Sequence, residues 1–313
     1  MLRLILGRIV TTLPVIGVVA ITIFLLLRLS PGDPAAVIAG DGASPETIAA
    51  IRIDLGLDQP LLVQFGTWIG QLLSGDLGTS VFSHQPVQKL IAQRVGPTVS
   101  LALMTLIFSI LVAVPAGVLA AARHGTWIDR AIMAMSVAGF SIPVFVVGYL
   151  LIYFLSIKLG LFPVQGYVAI SDDIFGFIRH ITLPMLALGL IYIALFARIT
   201  RSTMLEVLNE DFIRTARAKG LTRTRILVFH ALRNAAVPII SVIGLGFASM
   251  VGGVVVTETV FNIPGIGRLV VDAVLARDYP VIQGIILVLA VVYVAINLAI
   301  DILYMLVDPR IRY

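Results

Sequence analysis

The chain has 313 residues, of which 59% are hydrophobic and 12% charged, with no cysteine and a formal charge of +5; its mean hydropathy is +1.06. Soluble globular chains carry about 25% charged residues, so the composition excludes a water-facing globule, a disordered chain, a disulfide-stapled module and a thiolate metal site. The charges fall between long uncharged runs and form no basic face on a soluble domain. That pattern points to an integral membrane protein and away from nucleic acid.

In chain order, six runs contain no Asp, Glu, Lys or Arg: Ile9 to Leu27, Val99 to Ala122, Ala131 to Ile157, Ile181 to Ala197, Ala235 to Thr257 and Tyr279 to Ile300. They are 17 to 27 residues long and together make 132 residues. A helix rises about 1.5 Å per residue and the bilayer core is about 30 Å thick, so each is long enough to span or nearly so. The first run follows Arg3 and Arg8, as a signal peptide would, but it exceeds the usual h-region and continues into Leu29-Ser30-Pro31-Gly32-Asp33-Pro34. It is read as a first transmembrane helix. The predicted fold is all-α, with six transmembrane helices.

Lys and Arg set the orientation. With the N-terminus in the cytoplasm, fourteen cations fall on inner segments and eight on the longer outer ones. The chain then divides into a cytoplasmic N-terminus (1–8), a first span (9–28), an extracytoplasmic segment (29–98), a core of five spans (99–308) and a cytoplasmic tail (309–313). In the outer segment Ser44-Pro45-Glu46 resembles a helix start, and Ile48, Ile51 and Leu55 precede Gly56 at helical spacing. A short amphipathic helix is expected there, either as a solvated connection or as a contact surface for something arriving from outside.

The cytoplasmic segment 198–234 carries eight of the fourteen inner cations. Met204, Leu208, Phe212 and Ala216 fall four apart, which predicts one apolar stripe on a helix whose other faces show Glu206, Glu210, Asp211, Arg214, Arg217 and Lys219. Gly220 ends that helix and Thr222 starts a second one. The expected product is a helix-Gly-helix knob. Its mixed charge suits a protein partner better than an anionic lipid surface, which remains the alternative.

The chain lacks the signatures of its own energy source. Its lysines are Lys89, Lys158 and Lys219, and none follows Gly as a phosphate-binding loop requires. The candidate ionisable groups of an ion-coupling pathway within the helices are Glu258 and Asp301, both near the ends of their apolar runs and too few to make one. His84, His124, His180 and His230 alternate between the two sides and cannot share a metal. Neither a nucleophile elbow nor a His-Glu-x-x-His pair occurs. Pro14, Pro115, Pro143, Pro184 and Pro238, with Gly244, Gly246, Gly252 and Gly253, loosen the spans through close packing or through gating.

The stretch from Asp211 to Leu221, with Phe212, Arg214, Thr215, Ala216, Arg217, Ala218, Lys219 and Gly220, followed by His230-Ala231-Leu232-Arg233-Asn234-Ala235 and Pro238, resembles the cytoplasmic loop of bacterial ABC-importer permeases. Further matching pieces are Leu29 to Pro34, Gly56-Leu57-Asp58-Gln59-Pro60, Phe261-Asn262-Ile263-Pro264-Gly265-Ile266-Gly267-Arg268, Asp278 to Gln283 and Asp308 to Tyr313. Their order is similar to that of the B-type permease of dipeptide, oligopeptide, glutathione and nickel importers. Arg214-Thr215-Ala216 stands where the broader permease signature has Glu-Ala-Ala, a departure usual in this subfamily.

The resemblance implies a type I, methionine-importer-like permease fold without enzymatic activity, in the bacterial inner membrane with both termini cytoplasmic. It implies that Leu208, Asp211, Phe212 and residues 214–220 dock on a cytoplasmic ATPase subunit. It also implies a second homologous permease, two ATPases holding ATP and magnesium, and an extracytoplasmic solute-binding protein. No cofactor on this chain is implied. Glu258, with Gly252 and Gly253, is a candidate for the outer part of the translocation path, with structural pairing as the other role for Glu258. Peptide, glutathione and nickel-chelate substrates stay open, and a stand-alone channel or ion-coupled carrier is the alternative class.

Overall fold

The computed structural model describes residues 2–29, 34–39, 42–54 and 56–307. The predicted segment around Ser30-Pro31-Gly32-Asp33, Leu55 and the tail 309–313 lie outside the described residues. Among the described residues every regular element is helical. In order these are α1 (Leu2–Leu29), α2 (Pro34–Ala39), α3 (Pro45–Asp54), α4 (Leu61–Leu73), α5 (Val87–Ala122), α6 (Trp127–Ser141) and α7 (Val144–Leu151). After them come α8 (Ile174–Leu208), α9 (Asp211–Ala218), α10 (Arg223–Arg225), α11 (Leu232–Val260), α12 (Ile266–Ala276) and α13 (Tyr279–Val307). Two π-helical stretches, Ile152–Lys158 and Ile226–Ala231, continue α7 and join α10 to α11.

Among the described residues four helices are long and apolar enough to cross a bilayer: Val87–Ala122, Ile174–Leu208, Arg223–Val260 and Tyr279–Ile302. The predicted span Ala131 to Ile157 is not one helix. It is a pair, α6 and α7 with its π extension, bent by 102°. Pro143 is the cause: it disfavours helical geometry in the residue before it, and Ile142 is extended (φ −92°, ψ 124°). Counting that pair as one span gives five. In α1 the described apolar piece, Pro14–Leu25, is shorter than a span.

Among the described residues, three helices precede α5 in the segment 29–98, where one was expected. The expected start at Ser44 is present: its hydroxyl accepts from the Thr47 N–H, with Pro45 in the first turn. At the other end Gly56 is left-handed (φ +62°) and the Leu57 N–H reaches Arg52 O. α4, unmarked by charge or capping signals, was not anticipated.

The chain forms two compact units. One contains residues 2–95 and 269–294. In it Ala20, Ile23 and Phe24 of α1 pack with Trp68, Ile69 and Leu72 of α4 and with Leu287 of α13. Asp278 also binds the turn between α4 and α5, accepting from the Ser80 hydroxyl at 2.5 Å and from the Val81 N–H at 3.3 Å. The second unit contains residues 96–268 and 295 onward. Its centre is α8, which packs on α6, α7 and α11 around Leu188, Phe196, Met250 and Phe261. Lipid supplies no hydrophobic drive between spans, so contact depends on small residues that let backbones approach. A Cβ on Gly246 would stand 2.6 Å from Phe196, and one on Gly117 would stand 2.7 Å from the Ala197 carbonyl oxygen.

Candidate functional site

The segment between α8 and α11 forms an arm held on one side and open on the other. α8 stops at Leu208, where the Asn209 and Glu210 N–H groups fold back on Glu206 O and Val207 O. Glu210 is extended, and α9 restarts with Asp211 in its first turn, where an acidic side chain suits the helix dipole. The end of α9 is a Schellman turn: the Leu221 N–H reaches Ala216 O at 3.3 Å and the Gly220 N–H reaches Arg217 O at 2.9 Å. Gly220 takes φ +78°, and a Cβ there would meet open space. The requirement for glycine is therefore conformational and not steric.

This break resets the helical register and corrects the predicted stripe. Met204 and Ala216 are buried, but Phe212 is 41% exposed, and Ile213 takes its place at 0%. Ile213 and Ala216, three apart on α9, pack with Met204, Ala121, Ile226 and Ala235. The opposite face presents Phe212, Arg214, Thr215, Arg217, Ala218 and Lys219 to the outside. Asp211 and Arg214 form an exposed pair at 3.1 Å, which adds little stability. The second predicted helix after Gly220 is not separate, because α10 and its π turn run directly into α11. The arm is one short helix hinged between two spans, not a free-standing pair.

Sequence reasoning missed the anchor at the foot of α8. Asp129 is buried, and Arg201 grips both its oxygens, Nε to Oδ1 at 2.5 Å and Nη2 to Oδ2 at 2.8 Å. The Gly125 N–H donates to the same carboxyl at 3.0 Å. His124 Nδ1 lies 3.2 Å from Asp129 Oδ2 and 3.1 Å from Arg201 Nη2. A two-pronged guanidinium–carboxylate pair fixes orientation as well as charge. The cluster ties the α5–α6 turn to α8 just before the arm leaves it. Its signal in the sequence was weak, since the partners lie 72 residues apart.

Glu258 occupies the other end of α11. It is 0% exposed, so it does not line an open path in this structure. Thr98 Oγ1 donates to its Oε1 at 2.6 Å and accepts from the Ile266 N–H at 2.8 Å, while the Arg268 N–H donates to Oε2 at 3.0 Å. Together Thr98 and Glu258 cap α12 from two other helices, satisfying first-turn N–H groups that have no partner within the helix. The connection to α12 is equally determined. Asn262 is left-handed (φ +54°), with the Ile263 N–H on Glu258 O at 2.9 Å. Gly265 and Gly267 leave the space the carboxyl group fills. Gly252 is exposed, whereas a Cβ on Gly253 would stand 2.8 Å from Leu188 Cδ1 of α8. The three candidate path residues therefore share no surface.

Among the described residues no His, Asp or Glu cluster could hold a metal. The geometry offers mechanical parts: a capped short helix, a close-packed span bundle and an anchored arm. Comparison with known proteins agrees with that character. Residues 113–313 match the family described as binding-protein-dependent transport system inner membrane component, and residues 1–102 match its N-terminal family. A probable peptide ABC transporter permease of Sinorhizobium fredii is 54% identical over 309 residues, covering 99% of both chains. A putative peptide transport system permease of Brucella abortus is 48% identical, and the glutathione transport system permease of Salmonella choleraesuis 44%, both over the full length of each chain. Among solved structures, an inward-facing form of the MetNI methionine ABC transporter shares the fold, with a TM-score of 0.60 and 19% identity over 71% of this chain and 97% of that one. The chain accordingly belongs to the inner-membrane components of binding-protein-dependent transport systems, and is the permease subunit of an ABC importer.

Proposed function

We propose that this permease forms half of a translocation path for di- and oligopeptides. It works beside a second, homologous permease, beneath an extracytoplasmic solute-binding protein and above two cytoplasmic ATPases that hold ATP and magnesium. Both termini lie in the cytoplasm, the orientation that the distribution of Lys and Arg favours. Transport proceeds by alternating access, the two permeases rocking as rigid bodies about their shared interface. The α9 arm carries the motion. ATP binding closes the ATPases, draws the arms together and opens the path outward.

The observation that carries this reading is the two-sided arm. Ile213 and Ala216 fasten α9 to the ends of the spans, while Phe212 remains outside as a large apolar side chain flanked by charge. An exposed aromatic among charges is what a docking surface presents. Peptide is favoured over glutathione because the relatives named for peptide transport are more similar than the one named for glutathione transport.

The test uses proteoliposomes containing both permeases, both ATPases and the binding protein, and follows labelled dipeptide. Uptake is expected to require ATP and to vanish with Phe212→Asp, while the permease still inserts. Undiminished ATP-driven uptake by Phe212→Asp refutes the coupling role. Flux without nucleotide points instead to a channel or ion-coupled carrier, and uptake of glutathione in preference to dipeptide overturns the substrate.

A further inference from the structure

Beneath the α9 arm lies a cavity of about 500 Å³. Its floor is apolar, formed by Ala121, Leu205, Leu208, Ile226 and Leu227. Its mouth is lined by His124, Asn209, Arg217 and Arg223. Among the described residues lining it there is no Asp or Glu. The cavity thus joins an apolar wall to a cationic, donor-rich rim.

The rim groups have donors to spare. Arg217 is exposed, and its guanidinium makes no hydrogen bond among the described residues. Arg223 uses Nη2 on the Ala122 carbonyl oxygen, at the C-terminal end of α5, leaving its other N–H groups for a ligand. His124 Nδ1 lies between Arg201 Nη2 at 3.1 Å and Asp129 Oδ2 at 3.2 Å, while its Nε2 has no hydrogen-bond partner among the described residues. Two guanidinium groups beside an imidazole around one opening favour an anion with several acceptor oxygens, and phosphate is the common one.

The floor decides what carries the phosphate. A soluble phosphate would leave the aliphatic wall against water, whereas an amphiphile covers it with methylene groups. Ala121 and Ala122 are also the last residues of the uncharged run that ends α5, which places the cavity where that span leaves the hydrocarbon. Basic pockets between helices at this level suit lipid head groups. We infer that the cavity under α9 binds an anionic phospholipid, its phosphate held by Arg217 and Arg223 beside His124 and its first methylenes on Leu205, Leu208 and Ile226. On the orientation proposed above, the lipid comes from the cytoplasmic leaflet, so the membrane itself bears on the seat of the arm.

The assembled transporter, carrying both permeases and both ATPases, is equilibrated in nanodiscs of equal phosphatidylcholine and phosphatidylglycerol, then stripped with mild detergent and weighed by native mass spectrometry. Phosphatidylglycerol is expected to stay bound in preference to phosphatidylcholine. Arg223→Met and Arg217→Met should each reduce its retention about tenfold or more, the effect of losing one charge-assisted hydrogen bond. Asn209→Asp adds a negative charge at the exposed mouth without removing packing and should expel the lipid, with thermal unfolding as the control for the fold. Equal retention of the two lipids, or full retention of phosphatidylglycerol by all three variants, overturns the site. Displacement by glycerol 3-phosphate in solution overturns the lipid as its source. The masses also report the ATPases, so loss of those subunits with lipid still bound counts against the coupling role and not against this cavity.

Discussion

Thr98 Oγ1 and Glu258 Oε1 lie 2.6 Å apart although 160 residues separate them in the chain. Each also reaches the first turn of α12, Thr98 at the Ile266 N–H and Glu258 at the Arg268 N–H. One hydroxyl and one carboxyl thereby hold an eleven-residue helix by its N-terminal end. Thr98→Val leaves the Ile266 N–H and the carboxyl without their shared partner, at a cost of about 1–3 kcal/mol. Thermal unfolding of the purified permease in detergent measures this. Glu258→Gln keeps an acceptor for the Arg268 N–H and should lose less than Glu258→Leu.

Gly265→Ala and Gly252→Ala separate packing from composition. A Cβ at residue 265 would press directly on the Glu258 carboxyl group, whereas at residue 252 it meets nothing within 4 Å. The first substitution is expected to destabilise by about 1–3 kcal/mol, the usual range for overpacking. The second stays near neutral or gains stability, since alanine is the better helix former. Equal melting shifts for the two would contradict the carboxyl pocket.

Arg201→Ala leaves the buried Asp129 carboxylate without its main partner and should cost about 3–5 kcal/mol. Asp129→Asn combined with Arg201→Ala should recover part of that loss, because the uncompensated charge disappears with its partner. A double-mutant cycle on thermal stability checks the coupling.

Arg277 sits at φ +56°, where the Asp278 N–H closes on Ala273 O at 2.8 Å and the Arg277 N–H on Val274 O at 3.2 Å. This repeats the turn at Gly220, but with a side chain that disfavours it. Arg277→Gly should stabilise by about 1 kcal/mol, and Gly220→Ala should destabilise by a similar amount, since the left-handed conformation costs non-glycine residues about 1–2 kcal/mol. Gly220→Asn, which tolerates that conformation better, should fall between. Chemical denaturation of the three variants beside the parent protein tests the ordering.

On the arm, Ile213→Ala should lower thermal stability by about 2–5 kcal/mol, as the loss of a fully buried aliphatic side chain does. Phe212→Ala should leave stability nearly unchanged and weaken ATPase capture in a pull-down. The reverse pattern would restore the stripe read from four-residue spacing.

The membrane character, the helical fold, the family and the turn at Gly220 that ends α9 were legible in the sequence. They rest on composition, on uncharged runs and on short-range signals such as Ser44-Pro45 and Gly220, which act within a few residues of themselves. The face of α9 that is buried was not legible. It depends on a break at Asn209-Glu210 that shifts the register by a fraction of a turn, and no periodicity count can register that shift. The bend at Pro143 was visible as a residue but not as an angle of 102°, because proline also sits inside α1, α5, α8 and α11 without ending them. The role of Glu258 was the least legible. A lone carboxyl near the end of an apolar run suggests a path, and only the tertiary structure brings Thr98, Gly265, Gly267 and the start of α12 around it. The physical reason is common to these cases: propensity and hydropathy are local and sum along the chain, whereas satisfying a buried polar group is a matter of which distant atoms arrive within hydrogen-bonding distance.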